Sequence, residues 1–311
     1  MPSSIVHAYI GLDTVKKLNN EPKTIIEKHI DNYKVYCQNM DVLYFYHILL
    51  LFSNKVQDFG HRIHQENTNN FFKILINENK KNKNHELFTF IAGLITHYKA
   101  DSTMHPYINY LSIGNNKTQK RNNHFEIETY LDNYFINKRM HVNPQKYNNT
   151  KFVFNYTKDN IIKDEITRVY NELYNYPNMG KKYYRALAEM KFVFNYFRYD
   201  PFGIKRILYK LIDLNPFKNI PRVEYLSYYF DLNKNDFILN TNHNQWYNPH
   251  NKELISTKSF NDLYNDVINS SSTIINELYE YIFNNKDIDI DKLIGNYSYA
   301  TGLSLSPNKN K

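Results

Sequence analysis

The sequence predicts an all-α protein, and three observations carry that prediction. Apolar residues recur at helical spacing along nearly all of the 311 residues. Only 8 residues are glycine and 10 are proline, too few for a turn-dense sandwich or a glycine-rich nucleotide-binding fold. Strand-like alternation is confined to stretches such as residues 151–156, and the same hexapeptide returns at residues 191–196 inside a helical context.

From the N-terminus, the first segment runs short and apolar to His7 and Gly11. Residues 42–52 are apolar apart from His47 and too short to cross a bilayer, so they are expected to form a central buried helix. Leu87, Phe90, Ile91, Leu94 and Ile95 follow an i, i+3, i+4, i+7, i+8 stripe and place residues 86–102 on a core helix that ends at the following Pro106. Ile162, Ile166, Val169 and Leu173 mark another helix. Phe260, Leu263, Tyr264, Val267, Ile275, Leu278 and Ile282 mark a long C-terminal one with Ser259 as its N-cap. Breaks are expected at Glu21-Pro22, Tyr176-Pro177, Asp200-Pro201 and Asn215-Pro216, because the residue before a proline is pushed out of the helical region. Residues 115–123 and 141–150 are linker candidates too short to separate two domains. The organisation expected is one helical domain over residues 1–300 and a polar tail over 301–311.

Composition excludes several classes. An apolar content of 42% excludes a largely disordered chain, and no apolar run reaches the length of a membrane-spanning helix. The single cysteine, Cys37, excludes an intrachain disulfide and a cysteine-rich zinc site. No basic patch and apolar run of the secretory type opens the chain, so a cytoplasmic protein is expected. No amphipathic membrane-docking helix stands out. The net charge of +8 is compatible with a phosphate-bearing substrate but too diffuse to argue for one.

The 12 histidines are more informative. His97, Asp101 and His105 stand at i, i+4 and i+8, within roughly 80° of arc on successive helical turns. Such a ladder offers two imidazoles and a carboxylate able to bridge two cations, against the blander reading of a solvated polar face. His124 and Glu128 repeat the i, i+4 spacing, which can clamp zinc or merely open a surface helix. His61 and His64 lie three apart in Gly60-His61-Arg62-Ile63-His64. Asp41 precedes the most apolar segment and alone would read as its cap. His7 alone would read as a core histidine.

Taken together and in this order, these pieces resemble the zinc-dependent phospholipase C family, which is related to fungal single-strand nucleases and to the N-terminal domain of glycosylphosphatidylinositol phospholipase D. Gln38-Asn39-Met40-Asp41 followed by Tyr44-Phe45-Tyr46 is similar to the Gln-Gly-Pro-Asp and aromatic run of short bacterial members, with Gly-Pro replaced. The resemblance implies a multi-helix bundle holding two or three zinc ions. Carried over, Asp41, His64 (or His61), His97 and Asp101 form one site, and His105, His124 and Glu128 a second. His7 and Asp101 with the chain's amino terminus form a third. The family's free amine would fall to Pro2 here, once Met1 is trimmed.

The chemistry implied is hydrolysis of a phospholipid or other phosphodiester by zinc-bound hydroxide attacking phosphorus in line, with Asp101 bridging and Asp41 accepting a proton. Two alternatives stand beside it. One is cleavage of a nucleotide or single-stranded nucleic acid, with tyrosines as stacking platforms. The other is a non-enzymatic helical metal-binding protein.

Overall fold

A computed structural model describes residues 4–50, 54–66, 68–214, 222–229 and 235–305. Among them the chain forms α1 (Ser4–Lys16), α2 (Asn20–Lys28), α3 (Ile30–Tyr36), α4 (Lys55–Ile63), α5 (Thr68–Asn82), α6 (His85–Leu111) and α7 (Lys117–Met140). Then come α8 (Thr150–Val153), α9 (Asn160–Tyr174), α10 (Met179–Val193), α11 (Ile204–Asp213) and α12 (Asn235–Leu239). A hairpin of β1 (Trp246–Asn248) and β2 (Asn251–Ser256) precedes α13 (Phe260–Phe283) and α14 (Ile290–Ile294). The fold is all-α.

The centre of the bundle is α6. It is buried on every side, and α13, α3 and α1 pack along it, as expected for a helix that is apolar nearly all round. Its contact with α3 is close because Gly93 carries no side chain. A Cβ there would stand 2.5 Å from the Tyr36 Cβ and 2.9 Å from its carbonyl carbon. That approach brings the α3 carbonyls within reach of side chains one turn further along α6.

The helix also runs past the proline expected to end it: Pro106 lies inside α6, which continues to Leu111. The carbonyl that Pro106 cannot use is that of Ser102, four residues back. Gly302 (φ 65°) packs against this carbonyl so closely that a Cβ would come within 2.4 Å of it. Pro22 likewise breaks nothing. It sits in the first turn of α2, where a missing N–H costs no hydrogen bond. The breaks at Pro177 and Pro201 fall between helices, and Asn215-Pro216 lies outside the described residues.

A second correction concerns residues 42–52. In place of a buried helix the chain makes short 3₁₀ turns at Asn39–Phe45 and Ile48–Leu50, with Leu49 and Leu50 more than half exposed. Residues 51–53 lie outside the described residues. Two causes are visible. His47 takes a positive φ (55°), which interrupts a right-handed helix. The Gln57 side chain also donates to the carbonyls of Tyr44 and Tyr46, which a continuous helix would use itself.

The hairpin was not expected from the sequence. It is antiparallel, pairing Trp246 with Ser256 and Tyr247 with Ile255. Trp246 packs on Tyr107 of α6, with ring centroids 5.1 Å apart. Its function in the fold is to hold the C-terminal segment, because Asn248 Nδ2 donates to the Thr301 carbonyl at 2.8 Å. Asn109 of α6 grips the neighbouring Ala300 carbonyl at 2.7 Å. Residues 301–305, assigned by composition to a polar tail, are thus tied down, and Ser304 pairs with Tyr297. Residues 306–311 lie outside the described residues.

One helix departs from the sequence reading in a further way. α11 segregates its apolar residues on a single outward face and has no buried residue, so an exposed amphipathic helix is present after all.

Candidate metal centre

Three elements deliver the four side chains of the first set. The 3₁₀ turn at Asn39–Phe45 supplies Asp41, the C-terminal cap of α4 supplies His64, and α6 supplies His97 and Asp101. α4 starts from a capping box in which Asn54 and Gln57 exchange side-chain bonds, fixing where the helix begins and so where His64 ends it. Donor atoms of Asp41, His64, His97 and Asp101 all lie within 4.8 Å of one another. His64 Nε2 is 3.4 Å from Asp41 Oδ1, and His97 Nε2 is 3.1 Å from Asp101 Oδ2 and 4.0 Å from Asp41 Oδ2.

The second set joins the end of the α6 ladder to α7. His124 Nε2 stands 3.1 Å and His105 Nε2 3.6 Å from Glu128 Oε1. The two sets adjoin, since Asp101 Oδ2 is 3.7 Å from His105 Nδ1. Both border one cleft of about 560 Å³, which Tyr44, Phe125, Lys117, Lys120 and Arg121 also line. The three cations stand on the face of α7 that carries His124 and Glu128.

The imidazoles are oriented by backbone and hydroxyl partners. His97 Nδ1 bonds the Cys37 carbonyl at 3.0 Å, and His105 Nδ1 bonds the Tyr299 carbonyl at 2.8 Å. A nitrogen facing a carbonyl must carry the proton, so in the neutral ring each Nε2 is the lone pair left for a cation, which at His105 must displace the proton that the neighbouring carboxylates hold. His64 Nδ1 meets the Tyr44 hydroxyl at 2.9 Å. The buried Nε2 atoms of His64 and His97 have no hydrogen-bond partner. A cation would satisfy both, and buried polar atoms are seldom left without a partner. Imidazoles and carboxylates without thiolates are the donor chemistry of an open zinc site. On that test the residues fit zinc.

His7 comes to the same place from α1. Its Nε2 is 3.4 Å from Asp101 Oδ1, and its ring stacks on His97 at 4.3 Å. The start of α1 is anchored by the buried Asp132, whose Oδ1 accepts from the backbone N–H groups of Ile5 (3.0 Å) and Val6 (3.2 Å). Among the described residues His7 belongs to no group of three donors. Pro2, the expected amine donor, lies outside them. Of the two histidines left open at 61 and 64, His64 is buried and faces the first set, whereas His61 is exposed and packs against the Tyr44 ring.

Electrostatics keep the cluster ready for a cation. Burial pushes His64 down to about 4, so it is neutral at neutral pH. Burial acts the other way on Asp101, but the His105 and His97 charges outweigh it and hold the carboxyl well below the usual range. Against its own burial, His105 is raised to about 9 by the Asp101 and Glu128 carboxylates. The ordinary histidine value is 6.5. Stability that His105 contributes is therefore fully present below that value and lost as pH rises through about 9. Chelator-treated protein is expected to melt at progressively lower temperature across that window, and His105→Gln to remove that part of the decline.

Two contributors carried no signal in the sequence. Cys37 and Tyr299 act through backbone carbonyls, which any residue supplies. Tyr299 also donates its own N–H to the His64 carbonyl (3.2 Å) and sets its ring edge-on to His64 at 4.4 Å. Tyr44 is testable directly: Tyr44→Phe keeps the ring and deletes the hydroxyl on His64. Zinc affinity, measured by competition with a chromogenic chelator, is expected to fall about tenfold.

A helical bundle that gathers imidazoles and carboxylates from four segments around one cleft defines a class, the all-α proteins built to hold metal ions. This chain belongs to the zinc-dependent phospholipase C family, whose family model matches residues 6–190, more than half of its length. No curated protein and no solved structure matches it significantly.

Proposed function

We propose that the protein is a zinc-dependent phosphodiester hydrolase that acts on a phospholipid and releases its phosphorylated head group. The observation that carries this reading is the pair of unsatisfied, buried Nε2 atoms of His64 and His97, grouped with Asp41 and Asp101 beside a cleft that Asp41, His64 and Asp101 line. In this reading Asp41, His64, His97 and Asp101 hold one zinc and His105, His124 and Glu128 a second, while His7 and Asp101 contribute to a third. Zinc supplies Lewis acidity, lowering the pKa of water from ~15.7 toward ~7 and drawing charge from phosphoryl oxygens.

The chain's own residues do the rest. The Asp41 side chain borders the cleft and is 13% exposed, so it can take the proton of an attacking water. Lys117, Lys120 and Arg121 offer charge to a phosphate entering the cleft. The nucleic-acid alternative would have to stack bases on Tyr44 and Phe125 of the cleft, because Tyr33, Tyr36, Tyr98, Tyr107, Tyr130, Tyr170, Tyr183 and Tyr228 are fully buried.

The test is turnover by the zinc-loaded protein on phosphatidylcholine and on single-stranded DNA. The expected result is lipid hydrolysis that chelation abolishes and zinc restores. Cleavage of DNA alone would replace the reading with a nuclease. Turnover of neither would leave a metal-binding protein without this activity.

A further inference from the structure

α11 is attached to the protein by the wrong face for an ordinary surface helix. Ile204, Ile207, Leu208 and Leu211 stand at i, i+3, i+4 and i+7, and all are at least half exposed. Phe202 before the helix is 83% exposed and Leu214 after it 76%. The polar side makes the inward contacts instead. Lys205 Nζ donates to the carbonyls of Tyr196 (2.7 Å) and Tyr199 (2.6 Å), and the Arg206 guanidinium lies 3.7 Å over the Tyr229 ring. Asp213 accepts from the backbone N–H groups of Val223 (3.0 Å) and Glu224 (2.9 Å). A soluble helix buries its apolar stripe, and a contiguous exposed one marks an interaction surface.

We propose that α11 is a membrane-docking helix that lies along an anionic bilayer with this stripe in the headgroup region. The choice of a bilayer as occupant rests on the phospholipid reading above, and two features of the molecule favour it. The first is charge. Lys205 and Arg206 are turned inward, Arg206 lying 3.9 Å from Glu224, so Lys210 is the α11 cation exposed beside the stripe, and the one acidic residue of the helix, Asp213, is held by Val223 and Glu224. A second copy of this chain, itself at +8, would repel it, whereas anionic lipid would attract it. The second is position. The segment that Asp213 holds continues back to Arg222, whose N–H donates to Asn122 of α7 at 2.8 Å. Asn122 directly follows Arg121 on the rim of the cleft. α11 is thus tied through this segment to the helix that carries the cationic rim of the cleft. A helix of 10 residues is too short to span a bilayer but suits lying in its interface.

The test uses the full chain and the double variant Ile207→Asp, Leu211→Asp, whose exposed positions leave the core untouched. Binding is measured by co-sedimentation with vesicles of phosphatidylcholine, alone and mixed with phosphatidylserine. Turnover is measured on those vesicles and on a monomeric short-chain phosphatidylcholine. The wild-type chain should bind more tightly to the mixed vesicles, and the variant should lose about tenfold or more in affinity. Vesicle turnover should fall in parallel while turnover of the monomeric lipid is unchanged. Equal vesicle binding by the two proteins would overturn the proposal, as would a wild-type chain that ignores vesicles. So would a wild-type dimer that the variant dissolves without change in lipid binding. Lack of turnover on the monomeric lipid would instead strike the hydrolase reading, and loss of vesicle binding in the variant would still support docking.

Discussion

Asp101→Asn is expected to lower phosphodiester turnover by about a thousandfold or more, corresponding to about 4 kcal/mol of transition-state stabilisation. One carboxylate meets three imidazoles: Oδ1 faces His7 Nε2 at 3.4 Å, and Oδ2 faces His97 Nε2 at 3.1 Å and His105 Nδ1 at 3.7 Å. Asparagine keeps the shape, loses the charge, and points an amide donor where an acceptor is needed. In the proposed reading the same change takes a shared ligand from both metal positions it touches. The measurement is kcat/KM on a soluble phosphodiester together with zinc content, with circular dichroism to show that the variant folds. A variant with near-wild-type rate would show that the ladder is not the catalytic centre.

Gly93→Ala is expected to destabilise the protein by about 2–3 kcal/mol and to weaken metal binding, although Gly93 touches no candidate ligand. The added methyl would meet the Tyr36 Cβ at 2.5 Å and, more seriously, backbone atoms at 2.9 Å and 3.1 Å. Backbone cannot swing aside as a flexible side chain can, so α3 must shift away from α6. The shift carries the Cys37 carbonyl from His97 Nδ1, and with it the orientation of a buried ligand. Thermal melting with and without zinc checks both effects. Unchanged melting would show that α3 and α6 have slack that the packing denies.

The parts legible in the sequence share a physical basis. His97, Asp101, His105 and the His124, Glu128 pair lie on long helices, where chain spacing translates directly into shared faces. Asp41 was ambiguous because a carboxylate ahead of an apolar run reads equally as a cap. Only the fold, bringing His64 from a different element, separates the two readings. The helix expected over residues 42–52 failed because Gln57 and Asn54, farther along, take its carbonyls. That competition leaves no trace in local periodicity. Pro106 misled for a related reason, since a segment nearly 200 residues away packs over the carbonyl it frees. The orienting carbonyls of Cys37 and Tyr299 were illegible in principle. α11 was missed because a solvent-facing apolar stripe and a buried one have the same spacing, and only the packing tells which way the helix turns.

The most direct test of the account is the zinc content of the chain purified after zinc-replete expression. The two donor sets predict about two equivalents per chain, and a third if His7 and Asp101 hold one as proposed, and chelation should lower both the count and the melting temperature. Less than one equivalent, with melting indifferent to zinc, would contradict the account at its centre.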